Sequence, residues 1–248
     1  MNTETPTETT ESTAAIPGSP LATLLGMFFE PGKSFAAIEK KSMVLLPLLL
    51  TMVGGVALIF WYYQQVDFAW LQDKILAGKD MEPAQRDAAL KFMTKSMMTN
   101  MSLLGVLIGP PIMYAITALY YLIVAKITDI PVSYGKWFAF VTWSSVPNLL
   151  AFLLGVVQIL LASQGHLAYN QLNPLSLDQL FFHVEMSSPW ATLLDSISAT
   201  SIWSLVLMVV GFQAWSKKPR LTSIAIVLAP SIVILGGMAL LALHQTAS

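Results

Sequence analysis

MVLLPLLLTMVGGVALIFWYY, residues 43–63, carries no charged side chain along its whole length. About 20 apolar residues in a helix, rising about 1.5 Å each, match the roughly 30 Å hydrocarbon core of a bilayer. The run ends on Phe60, Trp61, Tyr62 and Tyr63, rings whose apolar body and polar edge suit the membrane–water interface. It is apolar on every side, so it reads as a transmembrane helix and not as a surface helix with one buried stripe.

Four further segments meet the same criterion: 101–125, 137–163, 197–215 and 222–244. The expected fold is therefore all-α, a polytopic transmembrane bundle of five spans occupying 42–244. Composition agrees, with 55% hydrophobic and only 11% charged residues against about 25% charged in an ordinary soluble domain. Cysteine is absent, which excludes a disulfide framework, a zinc ribbon and a thiol nucleophile. A formal net charge of -1 lacks the basic signature of a nucleic-acid binder.

Outside the spans the character changes. Residues 1–19, rich in Thr, Glu, Ser and Pro, read as a disordered acidic tail, because too little apolar area is present to offset the entropy of ordering. They lack the basic and apolar regions of a signal peptide, so the mature chain is expected to keep them. Residues 20–41 form two short helical patterns broken at Pro31-Gly32. Neither can span; each either lies on the membrane surface as an interfacial amphipathic helix or packs on the protein's own spans. Residues 64–100 and 164–196 read as extramembrane excursions. In the first, Glu82-Pro83 opens an amphipathic helix with Leu90, Met93, Met97 and Met101 on one face; the second reads as loop and contains no Lys or Arg.

Lys and Arg collect in segments that alternate between spans. Lys33, Lys40, Lys41, Lys126, Lys136, Lys217, Lys218 and Arg220 share one side, and the remaining basic residues all fall within 64–100. The positive-inside rule then puts the N-terminus in the cytoplasm and the C-terminus on the opposite side of the membrane.

No Asp, Glu, Lys, Arg or His lies at mid-depth in any span. Such residues mark proton relays, voltage sensors and intramembrane metal sites, so those chemistries are not expected. His166, His183 and His244 show no zinc spacing, and the Met-rich face from Met93 to Met101 reads as packing, not as a copper site. No catalytic, metal or cofactor-binding residue is expected. Polar groups within the spans, Asn148 among them, are expected chiefly to bond neighbouring helices. Pro110, Pro111, Pro147 and Pro230 interrupt spans; they act either as kinks that shape the bundle or as breaks lining a substrate site. Gly54-Gly55, Gly105, Gly155 and Gly236-Gly237 are expected to allow close helix approach.

Three stretches carry a family resemblance: FFEPGKSFAAIEKK before the first span, VSYGKWFAFVTWSSVPNLL entering the third, and SIWSLVLMVVGFQAWSKKPRLTSIAIVLAP across the last two. Together they resemble the Yip domain family of small five-span membrane proteins over about residues 20–244. The shared features are a Gly before an aromatic span, Pro147 within it, a span running from Trp203 to Gly211, and a basic turn. The resemblance implies a cytoplasmic N-terminus and a role as a non-enzymatic scaffold that binds a partner or organises the membrane; the alternative is a permease or channel for a neutral or lipidic substrate. Eukaryotic members bind prenylated Rab-type GTPases, but their D-L-Y-G-P motif is absent here, which points to a bacterial-type or divergent member. Membrane lipid is the expected partner, while an unidentified protein partner and a homo-oligomer stay open.

Overall fold

The computed structural model describes residues 19–79 and 81–247. The expected disordered tail lies, apart from Ser19, outside the described residues. Eleven α-helices follow in chain order among the described residues: α1 (Pro20–Phe29), α2 (Pro31–Lys40), α3 (Leu45–Gln65), α4 (Phe68–Leu76), α5 (Pro83–Phe92), α6 (Lys95–Ile127), α7 (Tyr134–Ser144), α8 (Leu149–Leu161), α9 (Ala191–Ser196), α10 (Ala199–Ser216) and α11 (Arg220–Ala247). Five units are long and apolar enough to cross a membrane: α3, α6, α7 with α8, α10 and α11. The chain is a multi-pass integral membrane protein.

The third unit is divided. α7 ends at Ser144, a 3₁₀ turn covers Val146–Asn148, and α8 begins at Leu149. Pro147 causes this, because it has no N–H for the carbonyl four residues back and its ring crowds that turn. By contrast α6 runs unbroken through Pro110 and Pro111. At Pro230 in α11 the orphaned carbonyl is that of Ile226, and the Tyr120 hydroxyl donates to it at 2.7 Å. Tyr120 thus ties α6 to α11 at the point where proline removed a helical donor.

α3 packs on α6 and α8, α6 on α7, and α10 on α2, α7 and α11. One end of the bundle is filled with rings. Phe35, Trp137, Phe140 and Phe212 are fully buried, Tyr121 and Trp215 nearly so. Their centroids lie 5.4 Å apart for Tyr121–Trp137, 5.4 Å for Trp137–Phe140 and 5.8 Å for Trp137–Phe212, within the range of favourable ring pairing. Gly211 makes this packing possible, because a Cβ there would sit 2.7 Å from ring carbons of both Phe140 and Phe35.

The same end gathers the basic segments. Lys218 Nζ donates to Thr128 O at 3.1 Å, and Trp215 Nε1 donates to Phe35 O at 3.0 Å. α1 and α2 therefore pack on the bundle through Met27, Phe35 and Ile38, all fully buried, while Leu21, Leu25 and Phe29 stay exposed. One side of the α1–α2 pair is docked on the bundle and the other is exposed.

Two expectations need correction. The amphipathic helix expected from Glu82 to Met101 is two helices, since the Thr94 side chain accepts from Met97 N at 3.2 Å and caps the start of α6. Gly54, Gly55 and Gly155 do meet neighbouring helices or loops, but Gly105, Gly236 and Gly237 have nothing within 4 Å of an added Cβ, because they face outward. The connection from α8 to α10, expected as an extramembrane excursion over 164–196, packs against the bundle. The Tyr62 hydroxyl donates to Leu167 O at 2.9 Å, and a Cβ on Gly155 would come 2.8 Å from Leu172 O. Gly155 lies six residues inside the end of α8, so this loop backbone reaches about 9 Å down the helix. Non-helical backbone at such depth is tolerated where protein covers it or where it lines a cavity.

Candidate binding cavity

Where that loop turns inward it leaves a cavity of about 350 Å³, within the usual range for small-molecule sites. Gly55, Leu58 and Ile59 of α3, Val106 of α6, and Ala151 and Phe152 of α8 make its apolar wall. Asn148, Asn170, Asn173, Asp195, Ser198 and Thr200 supply its polar groups. Asn148 reaches the wall because the Pro147 turn ends one helix and starts the next at this level.

The polar side is held by the loop's own bonding. Ser176 and Ser198 form an antiparallel bridge, with Leu177 N donating to Ile197 O at 2.6 Å and Ala199 N to Leu175 O at 3.0 Å. Ser198 then caps α10, accepting from Ser201 N at 3.1 Å, and its hydroxyl pairs with that of Thr200 at 3.0 Å. Asp178 is fully buried behind the cavity wall. Its carboxylate accepts from Val184 N at 2.8 Å, Gln179 Nε2 at 2.7 Å and Asn170 Nδ2 at 3.4 Å. Hydrogen bonds of this kind offset the cost of burying a polar group.

Asn170 and Asn173 each leave Oδ1 buried with no hydrogen-bond partner. For Asn170 the orientation is set, since its amide nitrogen faces the Asp178 carboxylate and the free atom must be the acceptor. Asp195 accepts only a long bond from the Ser176 hydroxyl, at 3.5 Å. Burial, reinforced by nearby Asp178 and partly opposed by the Ser176 bond, pushes its carboxyl up to about 6. The lining contains no Lys, Arg or His.

Of the residues singled out in the sequence, Asn148 lines the cavity and buried Pro147 shapes the turn beside it. Gly211 belongs to the aromatic end. Trp203 is 39% exposed on the bundle surface. Pro110 and Pro111 lie within α6 and Pro230 within α11, none of them lining the cavity. Pro110 does leave the carbonyl of Val106, a lining residue, without its i+4 donor. The loop residues Asn170, Asn173 and Asp195 had no signal in the sequence beyond a basic-free polar stretch. Among the described residues no group of His, Asp and Glu is arranged to hold a metal ion.

A second contact joins the two connections at this end of the bundle. The His166 ring stacks on Trp70 at 5.0 Å, its Nε2 is 3.6 Å from Asp67 Oδ2, and Asp67 N donates to Gly165 O at 3.0 Å. Backbone N–H groups at the start of α4, Trp70 foremost, hold the exposed Asp67 carboxyl below the ordinary value, and His166 adds to this.

No curated protein and no solved structure matches the chain significantly. A family model, that of the Yip1 domain, matches residues 25–242, which takes in the first four spanning units, both connections and most of α11. The chain belongs to the Yip1 domain family.

Proposed function

We propose that this protein is a non-enzymatic membrane component that holds one amphiphilic molecule in the Asn148 cavity and so organises lipid around the bundle. The observation that carries the proposal is the cavity itself: an apolar wall of spanning helices faced by a short arc of unsatisfied polar atoms. That is the pattern of a site that orients an amphiphile. No nucleophile–base pair or metal set accompanies it, and the surrounding groups serve binding.

A permease would need a route through the other half of the bundle. There Phe35, Trp137, Phe140 and Phe212 fill the interior. From Thr200 at the cavity to Trp215 in the aromatic cluster is about 22 Å along α10, so the filled half is deep. This favours one-sided binding over transport. On the positive-inside rule the basic end, with α1, α2 and the α10–α11 turn, lies in the cytoplasm of a bacterial inner membrane, and the cavity opens in the opposite half.

Native mass spectrometry of the protein released from lipid nanodiscs tests the proposal. The wild type is expected to retain one lipid-sized adduct per chain, and Ala151→Trp, which fills the cavity, to lose it. Equal retention by the two proteins would refute a cavity-bound amphiphile.

A further inference from the structure

We infer that the amphiphile held in the Asn148 cavity carries a primary ammonium head. The inference rests on the binding reading above and adds the chemical class of the ligand. Three sets of atoms lead to it. Asn170 Oδ1 and Asn173 Oδ1 are buried acceptors without a donor. Asp195 is a carboxylate with one long bond. The hydroxyls of Ser198 and Thr200 share one hydrogen bond at 3.0 Å.

The buried polar atoms of the lining that lack a partner are both acceptors, and the weakly bonded Asp195 adds a third, so a ligand must bring donors to this side of the cavity. A primary ammonium has three N–H donors and no acceptor, and its bond to a carboxylate is charge-assisted. A head that is only anionic would meet the Asp195 carboxylate in a lining without Lys, Arg or His, so a phosphate fits only beside an ammonium that Asp195 can bind. Residues 164–216 contain no Lys or Arg at all. A quaternary ammonium has the charge but no N–H to give the asparagines. The wall of Leu58, Ile59, Val106 and Phe152 requires an apolar body on the same molecule, which sets aside a free amine. At about 350 Å³ the space takes a head and part of one chain. A cation here would also relieve the burial and repulsion that raise Asp195.

Two sources share this chemistry, an aminophospholipid and a single-chain amine. Nanodiscs containing equal parts of phosphatidylethanolamine, phosphatidylcholine and phosphatidylglycerol, read by native mass spectrometry, distinguish the classes without any variant. The ethanolamine lipid is expected to be retained about tenfold over each of the others, the scale of one charge-assisted bond. Asp195→Asn and Asn173→Leu are each expected to reduce that preference without abolishing retention. A parallel arm adds dodecylamine: its binding in place of phosphatidylethanolamine supports the ammonium head and assigns the source to a single-chain amine. Preferred retention of phosphatidylglycerol, or equal retention of the ethanolamine and choline lipids, overturns the inference while leaving an occupied cavity. No retained adduct of any kind defeats the binding reading itself.

Discussion

The Tyr120 hydroxyl donates to the Ile226 carbonyl at 2.7 Å, and Ile226 is the residue whose helical donor Pro230 removes. A proline that looked like a candidate break for substrate is compensated by a tyrosine on another helix. Tyr120→Phe is expected to destabilise the protein by about 0.5–1.5 kcal/mol, the net worth of one such bond. In a Pro230→Ala background, where the backbone N–H returns, the same change is expected to cost less. Thermal unfolding of the four proteins in detergent measures the coupling, and equal costs in both backgrounds would show that proline and tyrosine act independently.

Gly211 gives the second test. A Cβ there would lie 2.7 Å from Phe140 and Phe35 ring carbons, whereas one at Gly236 meets nothing within 4 Å. Gly211→Ala is expected to cost about 1–3 kcal/mol through overpacking, and Gly236→Ala to leave stability unchanged or slightly raised. Unfolding followed by tryptophan fluorescence reads both, since Trp137 and Trp215 report on the crowded site.

Asp195 makes stability depend on pH in a defined sense. Its folded carboxyl is raised to about 6 from 3.8, so the folded state holds the proton more tightly than the unfolded one. The favourable contribution is full below the unfolded value and is lost as pH rises through about 6. Asp178 is the charged neighbour, and Ser176 the hydrogen-bond donor, that face this carboxyl. The melting temperature in detergent is expected to fall between pH 4 and 7, and Asp195→Asn to flatten that part of the profile. A wild-type profile that rises there, with the variant parallel to it, would assign the dependence elsewhere.

The orientation is open to direct labelling, because the natural chain has no cysteine. Single cysteines at exposed Lys41 and Arg220 are expected to react with a membrane-impermeant maleimide only after the inner membrane is opened. Cysteines at exposed Lys91 and Ser187 are expected to react in intact spheroplasts. A mixed pattern within either pair contradicts the arrangement of basic segments at one end.

Much of the fold was legible in the sequence, because each span is a continuous apolar run and lipid contact needs no partner to be recognised. Pro147 announced the division of the third unit, and Asn148 stood out as an amide in a span. The inward turn of 164–198 was not legible. Its buried Leu167 and Leu172 sit singly among polar residues, so periodicity gave no sign that they pack. Asp178 reads as a loop acid, and its burial depends on donors from Val184, Gln179 and Asn170 that only the folded loop assembles. Tyr120 and Ile226 are 106 residues apart, and nothing local to Pro230 reveals the pairing. The cavity follows from the loop, and so it too was invisible until the chain was folded.

The central claim is that the Asn148 cavity holds an amphiphile, and density in that cavity tests it most directly. A cryo-electron microscopy structure of the protein in nanodiscs that contain phosphatidylethanolamine is expected to show one elongated feature along Leu58 and Phe152, its head within hydrogen-bonding distance of Asp195 and Asn173. A cavity closed by its own side chains, or filled by isolated water-sized peaks alone, would contradict the account.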